Sequence, residues 1–194
     1  MTPLVRKTLA NAGLIEVYEA RQRGELPTRE SLPSGVDLLA LGALADAIRI
    51  AEVGDVVRVY ANTRAPEGAL SAPHDLRGLE LLRELATLRV TAPRAARIRV
   101  DWGSSTLELA QVALGFGATE LSGPIADRRG LPIAGDATKK VKGQGMVSLQ
   151  LLQKREIERV LRAAGRQPAF EAQLLALQEE AGDDHDDEET LNHG

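Results

Sequence analysis

Between Arg97 and Leu121 the chain reads strand, helix, strand within about 25 residues, and no other feature constrains the fold as much. Arg97 to Trp102 alternates Ile98, Val100 and Trp102 with Arg99 and Asp101, the period of a strand. Ser104 or Ser105 then caps a helix, with Glu108 completing a capping box with Ser105. Leu107, Leu109, Val112, Ala113 and Leu114 give that helix its apolar side, and Gly115 or Gly117 ends it. Ala118 to Leu121 is a short strand. Such a unit makes its two strands parallel with a right-handed crossover, which places the chain in the α/β class.

The rest of the chain fits that class. Thr2 followed by Pro3 is a helix start, and Leu4, Val5, Leu9, Ala12, Ile15 and Val17 carry the helix to about Arg23, with Gly24 as the stop. Residues 26–35, with Pro27 and Pro33, read as a loop or a single helical turn. A second helix runs from Val36 to about Glu52, and Gly54 and Asp55 turn it into the β-branched strand Val56 to Ala61. Residues 62–74 read as a loop. Leucines at 76, 79, 82, 85 and 88 share one face of a helix from Asp75 to about Val90. Residues 123–146 hold glycines at 123, 130, 135, 143 and 145 and read as a long loop. A helix through Ile157 and Val160 ends at Gly165 and Pro168, and a short one from Phe170 to about Glu180 leads into the C-terminus.

Composition separates the last residues from the rest. From Glu179 to Glu189 there are eight acidic residues and no basic one, whereas residues 1–178 hold 24 Lys and Arg against 20 Asp and Glu. A like-charged segment of this kind buries nothing, so 179–194 is expected to be a disordered acidic tail after a single domain of residues 1–178. His185 and His193 in the tail offer a loose metal site, but a solubilising role explains them more simply. There is no cysteine, which excludes disulfides, thiolate zinc sites, cysteine nucleophiles and Cys-held iron–sulfur clusters. No metal or other cofactor is expected. Five aromatic residues in 194 do not make a stacking platform for nucleic acid. Without a long apolar run or a signal-type start, no membrane contact is expected, and the expected compartment is the cytoplasm.

Two stretches are candidate sites. Asp101-Trp102-Gly103-Ser104-Ser105 lies where a parallel strand ends and a helix begins, the rim on which α/β folds bind ligands. Trp102, Ser104, Ser105 and the helix-start N–H groups suit a carboxylate or phosphate, although serines that only cap and a tryptophan that only packs explain the same residues. Asn62 and Arg64 follow the strand ending at Ala61 and share the rim if that strand is parallel to the others. The second candidate is the glycine-rich run 135–145, in which Lys139, Lys140 and Lys142 bring charge to an anion, with a flexible surface loop as the plainer account. It is not a Walker loop, because no Gly-Lys-Ser/Thr opens a helix after a strand. His74 has no nucleophile partner at a diagnostic spacing. Asp101 is a weak candidate base.

Asp37–Arg49 with the strand at 56–61, Arg99–Gly103 with Leu109–Gly123, and Glu156–Pro168 resemble, in this order, the first and closing parts of certain radical S-adenosylmethionine barrels. These are the aminofutalosine and dehypoxanthinyl futalosine synthases of menaquinone biosynthesis and the deazaflavin-forming enzyme of their kind. The resemblance implies a partial barrel remnant: a small, mainly parallel sheet of three or four strands covered by helices, with C-terminal helices. The family's three-cysteine motif and most of its barrel have no counterpart between residues 61 and 76, so radical chemistry by this chain alone is excluded. What the resemblance leaves is a binding or accessory role, with a small anionic ligand or a pathway enzyme as partner. The alternative is a non-radical enzyme acting on a phosphorylated or carboxylated molecule. An incomplete barrel has exposed edges; Arg58 and Arg99 read as charges guarding them, and the leucine-rich helix faces point to a homodimer.

Overall fold

The computed structural model describes residues 1–61, 68–73, 75–126, 138–141, 145–148 and 151–170. Five strands form one parallel sheet in the order β2-β3-β4-β1-β9: β1 is Val56–Tyr60, β2 Ala69–Ser71, β3 Arg97–Asp101, β4 Glu120–Ser122 and β9 Gln167–Phe170. The mainly parallel α/β architecture is thus present, with five strands in the main sheet rather than three or four. The first strand pairs directly with the closing strand of the strand–helix–strand unit, Arg58 opposite Glu120 and Tyr60 opposite Ser122. Two small pairs stand beside the main sheet, β5 (Ile125–Ala126) with β8 (Leu152–Gln153) and the antiparallel β6 (Thr138–Val141) with β7 (Gly145–Ser148).

The pleat sorts the sheet into two unlike faces. Val57 and Val59 of β1, Ile98 and Val100 of β3 and Leu121 of β4 are buried and join one apolar cluster. All six α-helices among the described residues contribute to that cluster: α1 (Pro3–Asn11), α2 (Ile15–Gln22), α3 (Leu38–Val53), α4 (Gly78–Thr91), α5 (Leu107–Ala113) and α6 (Lys154–Ala163). Arg58, Tyr60, Arg97, Arg99, Asp101, Glu120 and Ser122 point the other way, by the register of the paired strands. The sheet thus has one apolar face, packed into the core, and one polar face.

Several expectations need correction. The first helix is two. Gly13, in the left-handed region at φ +69°, breaks it, and the Leu14 N–H returns to the Leu9 carbonyl at 2.8 Å while both leucines are fully buried. Residues 69–71, expected as loop, form β2. The expected loop 123–146 contains β5 and β6 and the start of β7, so Lys139 and Lys140 sit in a hairpin strand. Phe170 closes strand β9 rather than opening a helix; 171–180 lie outside the described residues, as does the acidic segment. Arg58 and Arg99 guard no edge, because β1 lies between β4 and β9 and β3 between β2 and β4.

Away from the strands' carboxyl ends, buried arginines tie the helix termini together. Arg21, fully buried, clasps Glu52 through Nε and Nη2 at 2.7 and 3.1 Å, and its Nη1 donates to the Ala92 carbonyl at 2.6 Å, just past the end of α4. Arg89 donates from Nε to the Gly117 carbonyl at 2.9 Å. Burial pushes its guanidinium down to about 10; Glu52 opposes this and Arg21 and Arg49 add to it.

Helix α3 touches the turn at Leu114–Phe116 through Gly42. A Cβ there would meet the Phe116 ring at 2.7 Å. Helix propensity alone favours Gly42→Ala by roughly 1 kcal/mol. Overpacking against a buried ring costs typically 1–3 kcal/mol and reverses the sign. The expected result is a lower denaturation midpoint at unchanged m-value; a higher one contradicts this packing.

Candidate functional site

A cleft of about 390 Å³ opens at the carboxyl ends of three neighbouring strands. Its walls include the last residue of each, Ser71 of β2, Asp101 of β3 and Ser122 of β4, with Arg99, Arg77, Ser104 and Ser105. This is the rim where parallel α/β sheets take ligands, since helix starts and freed strand ends converge there.

Each wall residue has a definite setting. Ser122 is 1% exposed and its Oγ has no hydrogen-bond partner among the described residues, an arrangement that costs stability unless something else satisfies the hydroxyl. The Asp101 carboxylate accepts the Gly103 N–H at 2.8 Å through Oδ1. Ser104 and Ser105 both donate their hydroxyls to the Asp101 carbonyl, at 3.1 and 2.8 Å. Their lone pairs remain to accept from a ligand, but their protons are already placed. The cap of α5 is Thr106, whose Oγ1 accepts the Leu109 N–H at 3.2 Å, so the expected box between Ser105 and Glu108 is not formed.

Behind the cleft lies a buried charge cluster that the sequence does not reveal as such. Glu120, fully buried, accepts from Arg97 Nε and from Arg99 Nη2, the latter at 3.0 Å. Arg97 Nη2 also donates to the Tyr60 hydroxyl at 3.1 Å, and the Arg99 guanidinium stacks on the Tyr60 ring, 4.0 Å from its centroid. The hydrogen bond to Glu120 outweighs desolvation and holds Arg97 above its ordinary value. Arg99 therefore enters the cleft with its plane fixed by an aromatic ring on one side and a carboxylate beyond.

The expected site residues divide. Asp101, Ser104 and Ser105 come together in the cleft. Trp102 is 3% exposed in the apolar core, and its ring lies so close to Gly123 that a Cβ there would stand 2.3 Å from it. Asn62, Arg64, Lys142 and His74 lie outside the described residues, and of Lys139 and Lys140 only the backbone is described. Ser71, Arg77, Arg99 and Ser122 are additions. Arg99 carries a sequence signal, a charged residue at an alternate position of an interior strand; Ser71 and Ser122 depend on strand order.

Among characterised proteins, the aminodeoxyfutalosine synthase of Thermus thermophilus is 36% identical over 91 residues, 47% of this chain and 22% of that enzyme. The match spans about a fifth of the relative's length and supports a distant relationship to the group the sequence resembles. No family model matches, and no solved structure does. That group implies an iron–sulfur cluster held by thiolates. The 194 residues contain no cysteine, and no group of three metal-ligating side chains occurs among the described residues, so the donor set does not fit the cluster. No described helix is long and apolar enough to cross a membrane.

Proposed function

We propose that this chain is a cluster-less relative of the futalosine-group radical enzymes. On this reading it binds a small anionic molecule in the carboxyl-rim cleft and acts as a binding or accessory protein rather than a radical catalyst. The observation that carries the reading is the buried hydroxyl of Ser122, unpartnered among the described residues, in a cleft that also presents the stacked guanidinium of Arg99. A carboxylate or phosphate oxygen placed between them accepts from both groups. Asp101, paired in register with Ser122 on the neighbouring strand, favours a ligand that also carries a hydroxyl or amine donor.

Thermal shift against nucleosides, futalosine-like compounds and inorganic phosphate tests this. Ser122→Ala is expected to leave the unliganded melting temperature unchanged or slightly raised, because it deletes an unsatisfied group. It should weaken binding about tenfold, the value of one buried hydrogen bond to a charged partner. Stabilisation by none of these compounds removes the ligand-binding reading. A second reading, a non-radical enzyme acting on a phosphorylated or carboxylated substrate, draws on the half-buried Asp101 carboxylate in the same cleft. On that reading Asp101→Asn abolishes turnover while the fold persists.

A further inference from the structure

Three arginines, Arg21, Arg49 and Arg89, are each 1% exposed or less, and one of them is unmatched. Arg21 bonds both oxygens of Glu52, at 2.7 and 3.1 Å, and Oε2 of that carboxylate also accepts the Ala95 N–H at 3.0 Å. Arg49 donates to Asp46 at 3.0 Å and to the Gly54 carbonyl, and its Nη2 lies 3.7 Å from Asp55. Arg89 has no such carboxylate. Its Nε donates to the Gly117 carbonyl, while Nη1 and Nη2, both buried, have no hydrogen-bond partner among the described residues.

The surroundings of Arg89 are short of negative charge. A Cβ on Gly117 would stand 2.5 Å from Arg89 Cβ and 3.4 Å from Ala45 Cβ, so Arg89 leaves α4 beside Ala45 of α3. Arg49 and Glu52 follow on the same side of α3, one and two turns beyond Ala45. Glu52 is already saturated by Arg21. Asp46 and Asp55 are 28% and 51% exposed and are shared by Arg49 with Arg166. The charged groups that act on Arg89 are Glu52 in its favour and Arg21 and Arg49 against it, yet a guanidinium held down to about 10 keeps its charge at neutral pH. Buried charges are ordinarily paired. Water would satisfy the N–H groups and leave the excess charge, whereas an anion answers both. Full burial favours a guest close to water in size, a halide rather than a phosphate or carboxylate.

We propose that Arg89 holds a monatomic anion of the chloride class inside the protein, bound by its two terminal amino groups between α3, α4 and the Gly117 turn. The site is separate from the carboxyl-rim cleft and does not rest on a ligand there.

An anion that binds only the folded chain raises its melting temperature by mass action. At constant ionic strength, replacing sodium gluconate, whose anion is too large for the site, by sodium chloride up to about 0.3 M is expected to raise it by roughly 5 °C. Sodium bromide should act alike. In the isotope-labelled chain the amide signals of Arg89, Val90 and Gly117 should move saturably with either halide and stay still in gluconate. Inorganic phosphate should leave these halide shifts unchanged, which separates the site from the rim cleft. Arg89→Met keeps an apolar stem without the charge and should abolish the halide response; if that variant does not fold, the titration of the unaltered chain decides alone. Equal melting temperatures in chloride and gluconate with the three amide signals unmoved overturn the proposal and leave water as the partner of Arg89. Halide shifts that saturate only at the rim cleft, or that phosphate competes away, overturn it as well.

Discussion

Glu120→Ala is expected to lower the stability of the folded chain by about 3–5 kcal/mol, the usual loss when one member of a buried ion pair is removed. The carboxylate is fully buried and is shared by two guanidinium groups, of which Arg99 is itself 4% exposed. Deleting it leaves two guanidinium groups in a poorly hydrated place without the carboxylate that both of them bond. For a chain of this length the melting temperature should drop by roughly 10 °C. The same substitution also frees the Arg99 plane, so any anion that stabilises the parent protein should stabilise the variant less. Glu120→Gln retains the shape and two hydrogen-bonding atoms, and should recover part of the stability but not the anchoring of Arg99. Loss of less than about 1 kcal/mol on Glu120→Ala contradicts a closed, desolvated cluster.

Arg21→Ala is expected to cost a similar amount by a different route. It strands Glu52, whose side chain is 1% exposed, and removes a donor from the Ala92 carbonyl beyond α4. Burial raises the Glu52 carboxyl, but hydrogen bonds from Arg21 and the Ala95 N–H, with the charges of Arg21 and Arg89, outweigh it and hold the group below its ordinary range. A depressed folded-state value stabilises above the unfolded value and loses that contribution as pH falls through the folded one. The parent protein should therefore keep this part of its stability until the pH is below the usual carboxylate range. Arg21→Ala leaves the burial of Glu52 less opposed, so this group's acid loss shrinks and the variant's deficit against the parent should narrow as pH falls. Urea unfolding at several pH values between about 3 and 7 reads both effects. An unchanged acid limb in the variant refutes the assigned cause.

What was legible in the sequence were the elements with a local signal. Alternation made β1 and β3 readable, and the helix expected from Val36 begins two residues on at Leu38, capped by Asp37, which accepts the Ala40 N–H at 2.9 Å. The rim position of Asp101, Ser104 and Ser105 followed from strand-to-helix order alone. What was not legible depended on pairing. Strand β2 is three residues long and is held by β3. Strand β9 contains Pro168, which reads as a helix exit because it lacks an N–H; as an edge strand bonded to β1 alone it tolerates one. The role of Glu120 appears only once β4 is set beside β3, because its partners lie 21 and 23 residues away. Hydroxyl direction is equally non-local: the serines expected to face a ligand donate back to the Asp101 carbonyl, and the unsatisfied hydroxyl is Ser122.

The central claim, an anion site on the carboxyl rim without cluster chemistry, is tested most directly by following backbone amide shifts of the isotope-labelled chain during titration with inorganic phosphate and with succinate. The account predicts saturable shifts, for at least one of the two, at Ser71, at Asp101 to Ser105 and at Ser122, reduced in Ser122→Ala. Shifts that stay linear throughout, or that saturate only around Arg49 and Arg89 at the opposite end of the sheet, would contradict it.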